Sequence, residues 1–416
     1  MAIEIARTDR AAEGQPPIPI GLARLAKMAF DGIGFGPLCE QLSERALAVP
    51  PDPAALMDLS TIAQLTGRPD DRVTLQMQAL ALQRVYRQLA TGADGLRLLA
   101  FMAPGDFLAN TPVEFMLQGS GVSLDMLYVV PGRPLPPVPE HDIALVAATE
   151  LAENKAVLDQ IAALAPTWPR PMLNAPDRIA RLTRDGAWAL LRSVPGVAFP
   201  MNARISRQAL AAVGGSETSI AGILDGATFP IIARPLDSHA GNGLAKLADS
   251  ADIAPYLGDQ SARAFFIAPF VDYRSADGLY RKYRVALVAG RPYACHMAIS
   301  SHWMIHYLNA GMMESAGKRA EEARFMAEFD RDFAVRHGAA LAAVVERIGL
   351  DYVTMDCAEA PDGRLLVFEA GNGMIVHAMD PPALFPYKEP QMRKVFGAFE
   401  AMLHSARVPR RPAAAA

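Results

Sequence analysis

The chain is organised around the stretch Gly349-Leu-Asp-Tyr-Val-Thr-Met-Asp-Cys-Ala-Glu-Ala-Pro-Asp-Gly-Arg-Leu-Leu-Val-Phe-Glu-Ala-Gly-Asn-Gly-Met374. We predict strands from Tyr352 to Cys357 and from Arg364 to Glu369, because apolar residues with β-branched and aromatic members dominate both segments. Between them, Pro361-Asp362-Gly363 supplies a fixed φ, a local side-chain hydrogen bond and a positive φ. The stretch therefore predicts a hairpin.

Two carboxylates lie at matching places in these predicted strands. Glu369 follows the apolar run 365–368, Asp356 lies near the end of the first strand, and the segment Gly371–Gly373 with Asn372 in its middle comes directly afterwards. Hard oxygen ligands of this kind are the ones that Mg²⁺ takes when it also holds nucleotide phosphates. The alternative, a surface hairpin with ordinary strand-end acids, stays open here because short motifs also match by chance.

The composition bounds the class of protein. A chain of 416 residues exceeds a single core of usual size, so two or three domains are expected. With 51% hydrophobic residues and a net charge of -4, the chain matches soluble globular proteins and shows no sign of a nucleic-acid or membrane partner. The three cysteines form no close pair, and the N-terminal charges do not fit a signal peptide. We expect a soluble, cytoplasmic protein.

The first 92 residues are predicted to form a helical cap. Apolar residues recur at helical spacing from Ile20 to about Leu89, with a helix start at Asp52-Pro53 and a stop at Gly67. The segment 52–86 has the length and rhythm of one tetratricopeptide unit, which cannot bury its apolar face alone. The cap should therefore pack on the next domain, on a protein partner or on a second copy in a homodimer.

The texture changes at Leu96. The apolar runs 96–103, 122–130 and 143–148 alternate with helical segments, which predicts a doubly wound parallel sheet with ligands beyond the carboxyl ends of its strands. Gly105, Asp106, Asn110, Glu150 and Asn154 lie at such ends. They could hold a non-nucleotide substrate, but turn formation and helix capping explain most of them equally well.

Two further segments carry basic residues. Asn174-Ala-Pro-Asp177 is predicted to cap a helix that carries Arg178, Arg181 and Arg184, either as a solvated stripe or as a phosphate contact. The strand ending at Arg234 precedes a loop, residues 238–243, whose glycines let backbone N–H groups wrap an oxyanion. It is not a Walker loop, and an ordinary hairpin loop is the alternative.

The segment 265–307 completes the set. Its apolar strand breaks at Pro269, which frees backbone groups for an adenine edge, and either Asp272 or Asp277 could bind a ribose hydroxyl. Lys282 and Arg284 enter the next strand, where a guanidinium can clamp a phosphate or carboxylate at two points. Four of the eight histidines lie between His239 and His306. This concentration suggests a site, although a histidine is more often structural.

The order of these segments resembles the ATP-grasp superfamily over roughly residues 95–400. Asp272-Tyr-Arg-Ser275, Arg281-Lys-Tyr-Arg284 and Gly349-Leu-Asp-Tyr352 further resemble a bacterial group in which this domain follows tetratricopeptide repeats. The resemblance implies an α/β protein, α+β in its ATP-grasp part. It would comprise a tetratricopeptide-like helical cap (1–92), a doubly wound pre-ATP-grasp domain (93–175), a two-lobed ATP-grasp domain (176–405) and a disordered tail (406–416).

ATP-grasp enzymes join a carboxylate to an amine or another nucleophile through an acylphosphate and release ADP and phosphate. The resemblance implies ATP and Mg²⁺ as cofactors, and a small-molecule or peptide carboxylate and an amine acceptor as partners. It implies that the metal is held by Asp356, Glu369 and Asn372. With the residues singled out above, the predicted nucleotide contacts are Arg184, Arg234, Ser238, His239, Gly241, Asn242, Gly243, Pro269, Phe270, Val271 and Asp277. The predicted catalytic residues are Lys282, Arg284, His302 and His306.

Three departures from the family pattern leave the activity open. Arg234 replaces a lysine, two residues rather than one separate Glu369 from Asn372, and Lys282 replaces an acid, which favours an anionic substrate. The first hypothesis is an Mg²⁺- and ATP-dependent carboxylate ligase. The alternatives are a nucleotide-binding regulatory or interaction module without turnover, and a kinase-like transfer of phosphate to a small acceptor.

Overall fold

The computed structural model describes residues 17–92, 95–236, 238 and 241–407. The chain divides into two compact units: unit 1 comprises Met1–Ala180, Leu350–Val353 and Gly371–Ala416, and unit 2 comprises Arg181–Gly349 and Thr354–Ala370. In the predicted tail, residues 406 and 407 belong to the last helix, and residues 408–416 lie outside the described residues. Within the described part of the chain, no helix combines the length and the hydropathy that a membrane span requires.

The helices and strands follow one another along the chain in this order. Up to residue 180 they are α1 (Leu22–Phe30), α2 (Gly36–Ala46), α3 (Pro53–Leu65), α4 (Pro69–Leu82), β1 (Val85–Gln88), β2 (Leu96–Met102), α5 (Val113–Met116), β3 (Val122–Tyr128), β4 (Ile143–Val146), α6 (Lys155–Leu164), β5 (Met172–Leu173) and α7 (Pro176–Ile179). Then come α8 (Arg184–Leu191), β6 (Val197–Ala198), β7 (Ala203–Ser206), α9 (Arg207–Gly214), β8 (Ile231–Pro235), β9 (Ala245–Leu247), α10 (Ile253–Asp259), β10 (Ala264–Pro269), β11 (Tyr280–Val288), β12 (Arg291–Ser300), α11 (Ala316–Glu328), α12 (Phe333–Arg336) and α13 (Gly338–Ile348). The last are β13 (Tyr352–Glu359), β14 (Leu365–Gly371) and α14 (Lys388–Arg407).

Unit 1 is built on one five-stranded sheet with the order β1-β3-β2-β4-β5. The strands β2, β3, β4 and β5 run parallel, and the chain passes from β3 to the opposite side of β2 when it enters β4. Every residue of β4 is buried, as expected of a parallel strand that is covered on both faces. The α/β class and the doubly wound sheet predicted from the alternating runs are confirmed.

The helical cap differs from its prediction in one element. The segment 85–88 forms strand β1, which pairs antiparallel with β3, so the helical pattern predicted through Leu89 is wrong there. Tyr86 is fully buried. An apolar residue at this position is compatible with the helical period and with the strand period, and pairing at the edge of the sheet decides for a strand. Helices α1, α2 and α3 share a core around Leu25, Leu42 and Ile62. The likeness to a tetratricopeptide unit, and a partner or second copy at this cap, stay predictions.

Two buried carboxylates hold the start of α1. Asp58 on α3 accepts the backbone N–H groups of Ile20 and Gly21 at 2.8 and 3.1 Å, and Glu114 on α5 accepts that of Leu22 at 3.1 Å. The acids thereby satisfy donors that a helix N-terminus leaves open. Burial raises the pKa of Asp58 to about 7 and that of Glu114 to about 8.

Unit 2 contains two sheets. One has four antiparallel strands in the order β7-β10-β8-β9, and α9 and α10 pack against it. The other has the order β12-β11-β13-β14-β6, so β13 and β14 are neighbours. They are joined by a turn in which Gly363 has a φ of 83° and donates its N–H to Ala360 at 2.9 Å. The hairpin predicted around Pro361-Asp362-Gly363 is confirmed, with strands longer than predicted.

The junction before unit 2 corrects a second prediction. The helix expected to carry all three arginines is two helices, α7 and α8, and Arg184 is the first residue of the second. Asn174 does not cap α7. It is fully buried with a φ of 56°, its Oδ1 accepts the N–H of Tyr352 and its Nδ2 donates to the carbonyl of Tyr352, both at 2.9 Å.

Candidate functional site

The confirmed hairpin in unit 2 presents Asp356 and Glu369 from neighbouring strands. The carboxylate of Asp356 is 1% exposed, whereas that of Glu369 is 35% exposed. A carboxylate as buried as Asp356 is very costly unless cations and hydrogen-bond donors compensate its charge. The partners of these two acids therefore define the site.

Asp356 is compensated by two side chains of β11. Arg284 donates from Nε to Oδ1 at 2.7 Å and from Nη2 to Oδ2 at 3.0 Å, and the Nζ of Lys282 lies 2.7 Å from Oδ2. Burial by itself would raise the pKa of Asp356, but the charges of Arg284 and Lys282 outweigh it and hold that pKa well below its usual range. Asp356 is thus a carboxylate at every physiological pH.

Glu369 is compensated from a different element. The Nη2 of Arg184, at the start of α8, lies 2.5 Å from Oε2 of Glu369. Thr183 precedes this arginine and caps the helix by accepting the N–H of Gly186, which fixes where α8 begins. Burial raises the pKa of Glu369, while the charge of Arg184 lowers it, and the net direction is downward.

Arg234 on β8 is the most isolated cation of the site. It is 9% exposed, its Nη2 donates to the carbonyl of Ser238, and its Nε has no hydrogen-bond partner among the described residues. Burial and the nearby charge of Arg184 lower the pKa of Arg234 to about 10, against a smaller opposing effect of Glu369. This guanidinium remains charged at pH 7 and has a donor to offer.

These side chains form one electrostatic group, because the pKa of Glu369 responds to Arg184, Asp356, Lys282 and Arg234 together. We call this group the charge cluster. Its members are Arg184, Arg234, Lys282, Arg284, Asp356 and Glu369. In the described residues it combines four cations with two carboxylates, so it carries an excess of positive charge.

His306 lies at the margin of the charge cluster. Burial lowers its pKa, and the charge of Lys282 lowers it further, so the imidazole is neutral at pH 7. Gly241 approaches it closely: with a φ of 76°, a Cβ at this position would lie 2.7 Å from Nε2 of His306. Glycine is therefore required here both for its conformation and for space.

The predicted adenine segment contains an aromatic contact that sequence reasoning missed. Strand β10 ends at Pro269, and the N–H of Phe270 donates to the carbonyl of Pro230 at 3.0 Å. The Nζ of Lys246 on β9 lies 3.8 Å from the centre of the Phe270 ring, and Trp303 packs edge-on against that ring at 5.6 Å. Lys246 stands between two apolar residues of β9, and this alternation of apolar and polar residues is the sequence signal that could have singled it out.

Three predicted site residues are not members of the charge cluster: the nucleotide contacts Asp277 and Asn242, and the catalytic residue His302. Asp277 is ion-paired with Arg281 at 2.7 Å, and Arg281 leaves β11 on the face opposite to its neighbour Lys282. His302 and Asn242 are exposed. The role of each stays a prediction.

The remaining loop residues are placed only in part. The Oγ of Ser238 donates to the carbonyl of Pro235 at 2.9 Å, and Gly243 has a φ of 66°. Val271 follows the end of β10. His239, a predicted nucleotide contact, lies outside the described residues.

Asn372, the predicted third metal ligand, belongs to unit 1. It is fully buried, and its Nδ2 donates to Thr111 Oγ1 at 3.0 Å and to the carbonyls of Ala147 and Ala148 at 3.3 and 3.1 Å. Its Oδ1 has no hydrogen-bond partner among the described residues. In the same part of the chain, no group of three or more His, Cys, Asp or Glu side chains has the arrangement of a metal site. A metal ligand role for Asn372 stays a prediction.

Comparisons with known proteins find similarity at the level of structure alone. No protein-family model and no curated protein matches the chain. A RimK domain protein ATP-grasp from Sphaerobacter thermophilus DSM 20745 is similar with 16% identity and a TM-score of 0.40, over 74% of this chain and 99% of its own. The VanG D-Ala:D-Ser ligase from Enterococcus faecalis is similar with 10% identity and a TM-score of 0.45, over 75% of this chain and 99% of its own. Because both TM-scores are low, neither likeness carries the chemistry.

Proposed function

We propose that this chain is an ATP-dependent ligase that joins a carboxylate to an amine or thiol through an acylphosphate and releases ADP and phosphate. The observation that supports this function is the charge cluster of unit 2. A half-buried group of four cations and two carboxylates is suited to a polyphosphate anion, since fixed charges in a low dielectric stabilise the charge that phosphoryl transfer moves.

Arg234 and Arg184 are proposed to hold the phosphates. The Nε of Arg234 is buried without a partner among the described residues, so a phosphate oxygen would complete its hydrogen bonding. The backbone around Gly241 and Gly243, both at positive φ, can turn N–H groups toward the same anion. Phe270 with Lys246 offers an aromatic platform for the base.

Arg284 and Lys282 are proposed to act on the reacting groups. A substrate carboxylate oxygen attacks the γ-phosphorus, the bond to ADP breaks, and the resulting acylphosphate lies near these two cations. The amine then attacks the acyl carbon and phosphate leaves. His306 is neutral at pH 7 and is proposed to accept the proton that the amine releases. No covalent enzyme intermediate is needed, because positioning and electrostatics suffice.

Asp356 and Glu369 are the residues of unit 2 that would hold Mg²⁺. Two carboxylates from neighbouring strands supply hard oxygen ligands, which fits this ion. When bound, Mg²⁺ would neutralise phosphate charge. Asn372 belongs to unit 1, and its role as a third ligand stays a prediction.

A second function is favoured by one observation. Both oxygens of Asp356 are already engaged by Arg284 and Lys282, as in a site kept for its structure. The chain would then be a nucleotide-binding regulatory or interaction module without turnover. It would bind ATP but form no ADP with any carboxylate and acceptor.

The proposed ligase is tested by ADP release with a panel of carboxylates and amines, alongside thermal unfolding with ATP or ADP. A ligand at about a hundredfold over its Kd, bound only by the folded state, adds about 2.7 kcal/mol of stability. Glu369→Gln should abolish turnover. Glu321→Gln is the matched control, because Glu321 pairs with Arg281 outside the charge cluster. ATP binding without ADP release across the panel would favour the module instead.

A further inference from the structure

The charge cluster is unbalanced before any ligand arrives. Its two carboxylates are each already paired, Asp356 with two cations and Glu369 with Arg184. Arg234 forms no ion pair with a carboxylate among the described residues, and the charge with the largest effect on its pKa is that of another arginine, Arg184. Arginine cannot shed its proton to relieve such crowding.

We propose that this site binds its ligands in a fixed order: a polyphosphate anion enters first, without a metal, and a divalent cation enters only afterwards. The inference rests on the proposed nucleotide site and adds the order in which it fills. Cations of the protein occupy the carboxylates in the free state, and a ligand phosphate is the group that can take those cations over.

The contacts of Asp356 explain why a divalent cation should not enter before the anion. A divalent cation that approached this carboxylate alone would compete with the two-point contact of Arg284, at 2.7 and 3.0 Å, and with Lys282 at 2.7 Å. It would also bring positive charge to a group that already holds an excess of it. Like charges at these distances repel strongly where water is excluded.

The surroundings of Arg234 explain why the anion should bind without a metal. Its buried Nε offers a donor that no described residue uses. Burial and, to a smaller extent, repulsion from Arg184 lower the pKa of Arg234, and an anion bound there would relieve that repulsion. A phosphate bound by Arg184 would also loosen the ion pair of that arginine with Glu369. Anion and metal are therefore positively coupled, and the coupling must be reciprocal.

The test uses the full-length chain with three probes: Mn²⁺ alone followed by electron paramagnetic resonance, and ADP or inorganic pyrophosphate in EDTA followed by calorimetry. ADP and pyrophosphate should bind in EDTA. Mn²⁺ alone should bind at least tenfold more weakly than it binds to protein saturated with pyrophosphate, after correction for Mn²⁺–pyrophosphate in solution.

A pair of variants tests whether the contact of Lys282 with Asp356 keeps the metal out of the free protein. Lys282→Met removes one cation from Asp356 and should tighten the binding of Mn²⁺ alone about tenfold while weakening that of pyrophosphate. Arg281→Met removes the same charge from the adjacent position of β11, where it pairs with Asp277 and Glu321, and should change neither. Thermal unfolding verifies that each variant is folded.

Three outcomes overturn the proposal: tight binding of Mn²⁺ to the free protein, a metal requirement for ADP and pyrophosphate, or equal effects of both variants. If the anions bind in EDTA as proposed but no ADP is ever formed, the ligase function fails and the binding order stands. If neither anion binds under any condition, both proposals fail.

Discussion

The replacement Asp356→Ala should be strongly destabilising because it removes the carboxylate that both Arg284 and Lys282 contact. The carboxylate is 1% exposed and holds Arg284 at two points and Lys282 at one. Breaking a buried ion pair by deleting one partner costs about 3–5 kcal/mol, since the other charge stays buried and uncompensated. For a domain of 150–250 residues, that corresponds to a fall in midpoint of about 6–20 °C.

The assay is thermal unfolding followed by circular dichroism at pH 7 in EDTA, so that no metal contributes. Asp356→Asn keeps the shape of the side chain and should also destabilise, because its amide cannot compensate the cations. Adding Lys282→Met to Asp356→Ala removes one of the two stranded cations and should restore about 1–3 kcal/mol, a coupling of the size expected for residues in contact.

A midpoint for Asp356→Ala within about 1 °C of the wild type would refute this reasoning, since a change that small is less than about 1 kcal/mol. So would a double variant that is less stable than Asp356→Ala alone. Either result would mean that water or a rearranged side chain compensates Arg284 and Lys282 at little cost.

Two further predictions concern unit 1. Asn174→Ala should cost about 1–3 kcal/mol, because it removes two buried hydrogen bonds to the N–H and the carbonyl of Tyr352. Amide exchange at Tyr352 should accelerate, and unchanged exchange would contradict the prediction. Asp58 and Glu114 have folded-state pKa values of about 7 and about 8, above their unfolded values, so the folded state binds more protons and stability falls as pH rises from about 4 toward 8. Each acid changes the free energy of unfolding by at most about 1.4 kcal/mol per pH unit. Urea unfolding at pH 5 and pH 8 should show the fall in stability, and the double variant Asp58→Asn with Glu114→Gln should flatten the pH dependence. An unchanged slope in that variant would contradict the prediction.

The sequence by itself determined the elements whose signals are local. The hairpin of β13 and β14 follows from two apolar runs and from Gly363, whose φ of 83° is the positive value that the turn required. The parallel sheet follows from mostly apolar runs that alternate with helices, since parallel strands covered on both faces are nearly continuous in apolar residues. Asp52 caps α3 through Ala54 at 2.8 Å, as the Asp-Pro start predicted.

The sequence did not decide the secondary structure where its local pattern suited a helix and another structure equally well. Strand β1 has apolar neighbours that suit a helix as well as an edge strand, and its pairing with β3 lies almost 40 residues away in the chain, for example between Arg87 and Asp125. The helix predicted across Arg178 and Arg184 is broken, and Asn174 bonds to Tyr352 instead of capping it. Such outcomes depend on contacts that no window of sequence contains.

Only the tertiary structure decided how the charges are paired. The sequence singled out Lys282, Arg284, Asp356 and Glu369, but not that Lys282 and Arg284 share Asp356 while Arg184 takes Glu369. Ion pairing depends on separations of a few ångströms and on burial, and both are set by strand order and register across the sheet. The same dependence on register applies to Asp277, predicted to bind a ribose hydroxyl: it pairs with Arg281, whose side chain leaves β11 on the face opposite to Lys282.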